Sequence, residues 1–344
     1  MLWVMRYTGG LAIVLVLGLG GCTEGSNGGD PPSEPVEPTA ADSTQDPGAT
    51  TAPTTEPPTT ERPTSEPPTT EPLTERVTFD NDRAMKTVRT LSLRVGPREA
   101  TSDAFARAAN WVEFRLAEFG YEVSRQRFQV PAGNSWGVDV PAGTSANVIA
   151  DPVGFHPSRP HIVIGAHLDT VPQAPGAEDN ASGIGVMLEL ARMVAARAPE
   201  VPVRFVAFGA EEPRGEGDAL HHFGSMRYVE LMTRNEQRTL VAMVSLDRVG
   251  TRGPYIPVSS GPGGENALRD DLARSARELG IQTQLFDDNA SSDHWSFTKA
   301  GLPSVRLGSI SYGCYHASCD LPRTVDPTQL TRVGRTMWHW LRSF

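Results

Sequence analysis

Two adjacent glutamates, Glu211 and Glu212, close the run "VRFVAFGAEEP" at the end of an apolar stretch of strand length. Three other runs end in the same way. His167 and Asp169 follow "HIVIGA", Asp247 follows "TLVAMVSL", and His316 lies a few residues beyond "SVRLGS". Asp179 stands in "GAEDNASG", just ahead of a helical stretch. Each feature alone has an ordinary explanation. A His-x-Asp pair is commonly a surface hydrogen bond, an Asp before a helix is a cap, and a Glu-Glu pair is a solvated face. Together they read differently. Glutamates are almost never buried unless paired, and neighbouring carboxylates repel. A divalent cation removes that repulsion. Imidazoles and carboxylates without thiolates suit Zn2+ in a catalytic setting, with water completing the shell. Two imidazoles and three carboxylates are too many for one three-ligand zinc. They fit two metals that share a bridging carboxylate and together activate water against a carbonyl.

Groups on separate segments can meet only if the fold brings those segments to one edge. Ser102 can cap a helix carrying Phe105, Ala108, Trp111, Val112, Leu116 and Phe119, with Gly120 as its stop. Strand-like stretches cover residues 122–130, 147–150, 161–167, 201–209, 239–247 and 304–309. Helical patterns cover 182–198, 266–279 and 327–344. Continuous apolar strands alternating with helices indicate an α/β fold with a mostly parallel central sheet. In such sheets ligands bind beyond the carboxyl ends of the strands, where the ionisable residues fall.

The rest of the chain has other tasks. The opening residues 1–22 read as an export signal, with Arg6 ahead of the apolar Leu11–Leu19. That core is too short to span a bilayer, which needs ~20 residues. Its end, "LGGC", looks like a bacterial lipobox, which implies cleavage before Cys22 and a lipid on its sulfur. The protein would then be tethered to the membrane without crossing it. Residues 23–76 are Thr/Pro/Glu-rich and hold 11 acidic and 2 basic side chains, too polar to build a core. Residues 77–344 carry 30 acidic and 28 basic side chains, so most of the net charge of −10 lies in the stalk. A near-neutral folded part argues against nucleic acid as a partner.

The ordered set "GAHLDT", "GAEDNASG", "FGAEEP", "SLDRVG", "SSDHWSFTKAGLP" and "CYHASCD" resembles the M28 family of zinc aminopeptidases. The resemblance covers about residues 145–344 and implies a zinc-exopeptidase-like mixed sheet of eight strands between helices. It implies that His167 and Asp247 bind one zinc, that Glu212 and His316 bind the other, and that Asp179 bridges them. Asp169 would orient His167, Glu211 would be the general base, and Tyr315 would hydrogen-bond the oxyanion. Cys314 and Cys319 stand where some relatives have a disulfide. Two departures stand out: Arg248 follows Asp247 where the family commonly has Met, and Ser291 stands where some relatives have Arg.

The expected protein is an extracytoplasmic, lipid-anchored, monomeric aminopeptidase with two zinc ions, acting on peptides with a free N-terminus. Alternatives on the same scaffold are a carboxypeptidase, a deacylase and a glutaminyl cyclase, and a surface module without chemistry is a third reading. Repulsion between Glu211 and Glu212 predicts a raised pKa for Glu211.

Overall fold

The computed structural model describes residues 77–344. The export signal, Cys22 and the stalk of residues 23–76 lie outside the described residues. The chain runs α1 (Asn81–Arg89), α2 (Asp103–Glu118), β1 (Glu122–Val130), β2 (Gly133–Ser135), β3 (Val138–Val140), β4 (Gly143–Asp151) and β5 (His161–His167). It continues through α3 (Ser182–Ala196), β6 (Val203–Phe208), α4 (Phe223–Leu231), α5 (Arg234–Thr239) and β7 (Leu240–Leu246). Then come β8 (Ile256–Ser259), α6 (Ala267–Glu278), β9 (Thr283–Phe286), α7 (His294–Lys299), β10 (Ser304–Leu307) and α8 (Pro327–Leu341).

Eight strands form one sheet in the order β1-β4-β6-β5-β7-β10-β8-β9, and β2 pairs with β3 in a separate hairpin. The central run β6-β5-β7-β10 is parallel, while β1, β4 and β8 introduce antiparallel pairings. The mixed, mostly parallel sheet expected from the sequence is therefore present.

Every residue of β5 is buried, and alternate side chains leave opposite faces of a strand. Ile162 and Ile164 of β5, with Val244 and Leu246 of β7, join a core shared with Val88, Phe105, Ile184, Leu272 and Val333 from the flanking helices. Val163 and Met243 point the other way, into a smaller core with Tyr228 and Phe297. Each such side chain contributes roughly 1.5–3 kcal/mol by leaving water. Helices thus cover both faces, and the loops at the carboxyl ends of the parallel strands are free for chemistry.

Local signals behaved as the physics requires. The Ser102 hydroxyl accepts from the Phe105 amide at 3.1 Å and starts α2. Gly183 lets the first turn of α3 press on the end of β7, since a Cβ there would strike the Leu246 carbonyl and the Asn180 side chain. Elements that the sequence pattern did not predict are α1, the β2–β3 hairpin, α4, α5, β8, β9 and α7. Most are short, and the strands β2, β3, β8 and β9 have three or four residues each, too few to display a period. Among the described residues no helix is long and apolar enough to cross a membrane.

Candidate metal centre

The carboxyl ends of β5, β6 and β7 and the loop after β10 bring the ionisable residues together. His167 is the last residue of β5, and its Nε2 lies 3.1 Å from Asp179 Oδ1. The other oxygen of the same carboxylate, Asp179 Oδ2, lies 3.1 Å from His316 Nε2. Asp179 therefore turns one oxygen to each imidazole. Glu212 Oε2 stands 3.2 Å from His316 Nε2, and Asp247 Oδ1 stands 3.6 Å from His167 Nε2. Glu211 Oε2 is further back, 3.9 Å from His167 Nε2. Three groups of three follow: His167 with Asp179 and Asp247, His316 with Asp179 and Glu212, and His167 with Glu211 and Glu212. Within each group the candidate ligand atoms lie within 4.8 Å of one another.

Glu212 Oε1 and Asp247 Oδ1 are buried without a hydrogen-bond partner. Buried acceptors are rarely left so, and leaving one unsatisfied costs about 1–3 kcal/mol. A nitrogen and oxygen donor set with two orphaned carboxylate oxygens fits zinc.

The protonation balance has the same origin. Burial raises Glu211 to about 8, and Asp247, Asp169 and Asp179 add to the rise against the opposing charge of His167. Burial likewise raises Glu212 to about 7, with His316 opposing. The predicted rise of Glu211 is therefore present, but its main cause is desolvation rather than the neighbouring Glu212. Burial works against a charged His316, yet Glu212 and Asp179 carry it to about 10. Asp247 is also buried, but Arg306 and His167 pull its pKa well below the carboxylate range.

The framework around these groups is made of hydrogen bonds. The Asp169 carboxylate accepts from the amides of Glu211 and Glu212, each at 3.1 Å. His167 Nδ1 is 3.2 Å from the Asp169 backbone carbonyl and 3.7 Å from its carboxylate. Asp169 thus holds the glutamate pair with its side chain and meets His167 most closely with its backbone. Asn180 ties three segments together. Its Nδ2 donates to the Leu246 carbonyl at 2.9 Å, and its Oδ1 accepts from Gly183 and Arg248.

Sequence reasoning gave no role to Glu178, Asp320, Arg306 or His222. Fully buried Glu178 accepts from the Gly250 amide and from both the amide and hydroxyl of Thr251, tying the loop after β5 to the loop after β7. Asp320 accepts from the amides of Glu178 and Asp179 at 2.9 and 3.1 Å. Arg306 Nη2 lies 2.9 Å from Asp247 Oδ2. His222 Nε2 lies 3.3 Å from Glu211 Oε1. Glu178 and Asp320 sit inside the quoted motifs, where their acidity was visible and their partners were not. Nothing in the sequence marks His222.

Tyr315 stacks on His316 with ring centres 3.7 Å apart and is 40% exposed. Trp136, at the tip of the β2–β3 hairpin, meets the edge of His316 at 4.4 Å. Cys314 and Cys319 are joined in a disulfide that encloses His316.

Residues 147–341 match the model of peptidase family M28. The chain belongs to that family. The M28 chain is 34% identical over 168 residues to Aminopeptidase YwaD of Bacillus subtilis, covering 48% of this chain and 35% of that protein. It is 28% identical over 183 residues to the Probable lipoprotein aminopeptidase LpqL of Mycobacterium tuberculosis, covering 48% and 32%. The matches thus span about a third of these relatives. Among solved structures, a zinc aminopeptidase from Bacillus subtilis superposes with a TM-score of 0.69 at 20% identity, over 78% of this chain and 96% of that one. A glutaminyl cyclase from Bacteroides thetaiotaomicron gives 0.67 at 21% identity, over 78% and 99%. At these identities the likeness concerns the fold, and it is equally good for both activities.

Proposed function

We propose that this M28 chain is a two-zinc aminopeptidase working on the extracytoplasmic face of the membrane, held there by lipid on Cys22. The observation that carries the reading is the Asp179 carboxylate, which turns one oxygen to His167 and the other to His316. His167 and Asp247 would hold one ion, Glu212 and His316 the other, with Asp179 shared. The family, the aminopeptidase relatives and the lipoprotein relative support it.

Zinc bound there supplies Lewis acidity, which polarises the scissile carbonyl and acidifies water. The chain's own residues do the rest. Glu211 takes the proton of the attacking water on a carboxylate oxygen and delivers it to the departing amide nitrogen. Its raised pKa suits both halves of that transfer. Asp169 fixes the direction of Glu211 and Glu212 through their amides. Arg306 holds Asp247 ionised and in place. Tyr315 and Trp136 border the His316 side.

The equal structural likeness to glutaminyl cyclases supplies a second reading. One experiment separates them. The purified chain is assayed for bound zinc, for release of the N-terminal residue from a chromogenic amide, and for cyclisation of an N-terminal glutamine. Two zincs with chelator-sensitive amide cleavage are expected. One zinc with cyclisation alone selects the cyclase, and two zincs without any cleavage sink the proposal.

A further inference from the structure

We infer that Arg248 binds a carboxylate of the substrate next to the scissile bond. The inference rests on the peptidase reading above and names the substrate class within it. Arg248 follows Asp247 directly at the end of β7. Its backbone takes the left-handed conformation, φ +53°, which is uncommon for a residue with a Cβ. Its amide is fixed to Asn180 Oδ1 at 3.2 Å. The guanidinium lies over the Tyr315 ring at 4.3 Å, and that ring in turn stacks on His316. Nε lies 3.8 Å from Asp247 Oδ1, an oxygen of the candidate metal centre.

The other two arginines of this region have hydrogen-bond acceptors in the protein, although Arg306 keeps Nε and Nη2 without one. Arg98 donates to the carbonyls of Leu168, Pro175 and Gly176. Arg306 takes Asp247 Oδ2 and the Ser291 carbonyl and hydroxyl. Arg248 differs, because among the described residues its guanidinium donates no hydrogen bond at all. Its side chain is 13% exposed, so its five N–H groups are left to solvent or to an arriving acceptor. The charge of Asp247 is already answered by Arg306 from the opposite side. Asp179 and Asp247 attract this cation, yet its guanidinium has no hydrogen-bond acceptor among the described residues and remains available to one that arrives. The planar fork of a guanidinium matches a carboxylate through two parallel bonds.

Two sources carry that group. One is the side chain of an N-terminal Asp or Glu, and the other is the free C-terminus of a dipeptide. Both are tested on the full chain loaded with zinc. Glutamyl and glutaminyl p-nitroanilides form one pair, and Leu-Gly with its C-terminal amide forms the other. Within each pair the members differ only in the carboxylate. The wild type is expected to favour the carboxylate in one pair, and R248M to reduce that preference in kcat/KM by roughly 30-fold or more. R248K should recover part of it, because the charge remains and the fork is lost. A residue that merely supports Tyr315 would slow both members alike, so an unchanged ratio in both pairs overturns the inference. Calorimetric titration with glutamate against glutamine, and with glycine against glycinamide, reads the same preference without turnover. If no anilide or dipeptide is cut, the peptidase reading fails, and the titrations still decide for or against Arg248.

Discussion

Asp320 is the residue whose removal tests the site's framework most directly. It is fully buried and 141 positions from Asp179 in sequence. Oδ1 accepts from the Glu178 amide at 2.9 Å and the Thr324 hydroxyl at 3.0 Å. Oδ2 accepts from the Asp179 amide and the Tyr312 hydroxyl, both at 3.1 Å. In D320A the two hydroxyls can rotate to other acceptors, but the two amides cannot. Each orphaned buried amide costs about 1–3 kcal/mol, so the variant should lose roughly 2–6 kcal/mol. That is a large share of the ~5–15 kcal/mol that holds a typical domain. D320N is not a mild substitute, since its NH2 must face one of the two amides, donor against donor. Half of the Ala penalty is expected there. Urea unfolding of chelated protein gives the stability, and competition with a chromophoric chelator gives zinc affinity. Both should fall together, because the same amide places the Asp179 carboxylate. A D320A protein within about 0.5 kcal/mol of wild type, with unchanged zinc affinity, would refute the argument that this side chain shapes the centre.

Two more expectations follow from the same geometry. E211Q should keep both zincs and lose about 10²- to 10⁴-fold in turnover, whereas E212Q should lose metal; metal analysis beside the rate reads both, and metal loss in E211Q would exchange the two roles. His294 tests linkage away from the ligands: burial, then the charge of Arg306, lowers its pKa from 6.5 to about 3. A lowered pKa contributes stability that is complete above 6.5 and is lost as pH falls toward 3, at about 1.4 kcal/mol per pH unit inside that window. H294Q should flatten the stability–pH curve there, and parallel curves for variant and wild type would count against a neutral buried imidazole.

The sequence was legible where one residue type meets one requirement. Buried parallel strands read as apolar runs, and chemistry at their ends read as charges following them, so His167, Glu211, Glu212 and Asp247 could be placed without a structure. Tertiary pairing was not legible. Asp320 reaches Asp179 across the whole α/β unit, and no local pattern announces that distance. Arg306 stands in the four-residue strand β10, and only its pairing with Asp247, distant in sequence, gives its charge a role. The cause of the raised Glu211 pKa was missed for a related reason. Adjacency in sequence is visible, while the degree of burial that dominates the shift depends on every element packed around it.

His316 sits inside the small ring closed by Cys314 and Cys319, and this ring makes the loop's covalent frame depend on redox conditions. Disulfides form and persist mainly in oxidising compartments. Under reducing conditions the His316 loop would keep the Asp320 hydrogen bonds to the Glu178 and Asp179 amides and lose only its covalent ring. On the proposed extracytoplasmic reading, the ring would close only after export, and the His316 side of the centre would gain its covalent tie there.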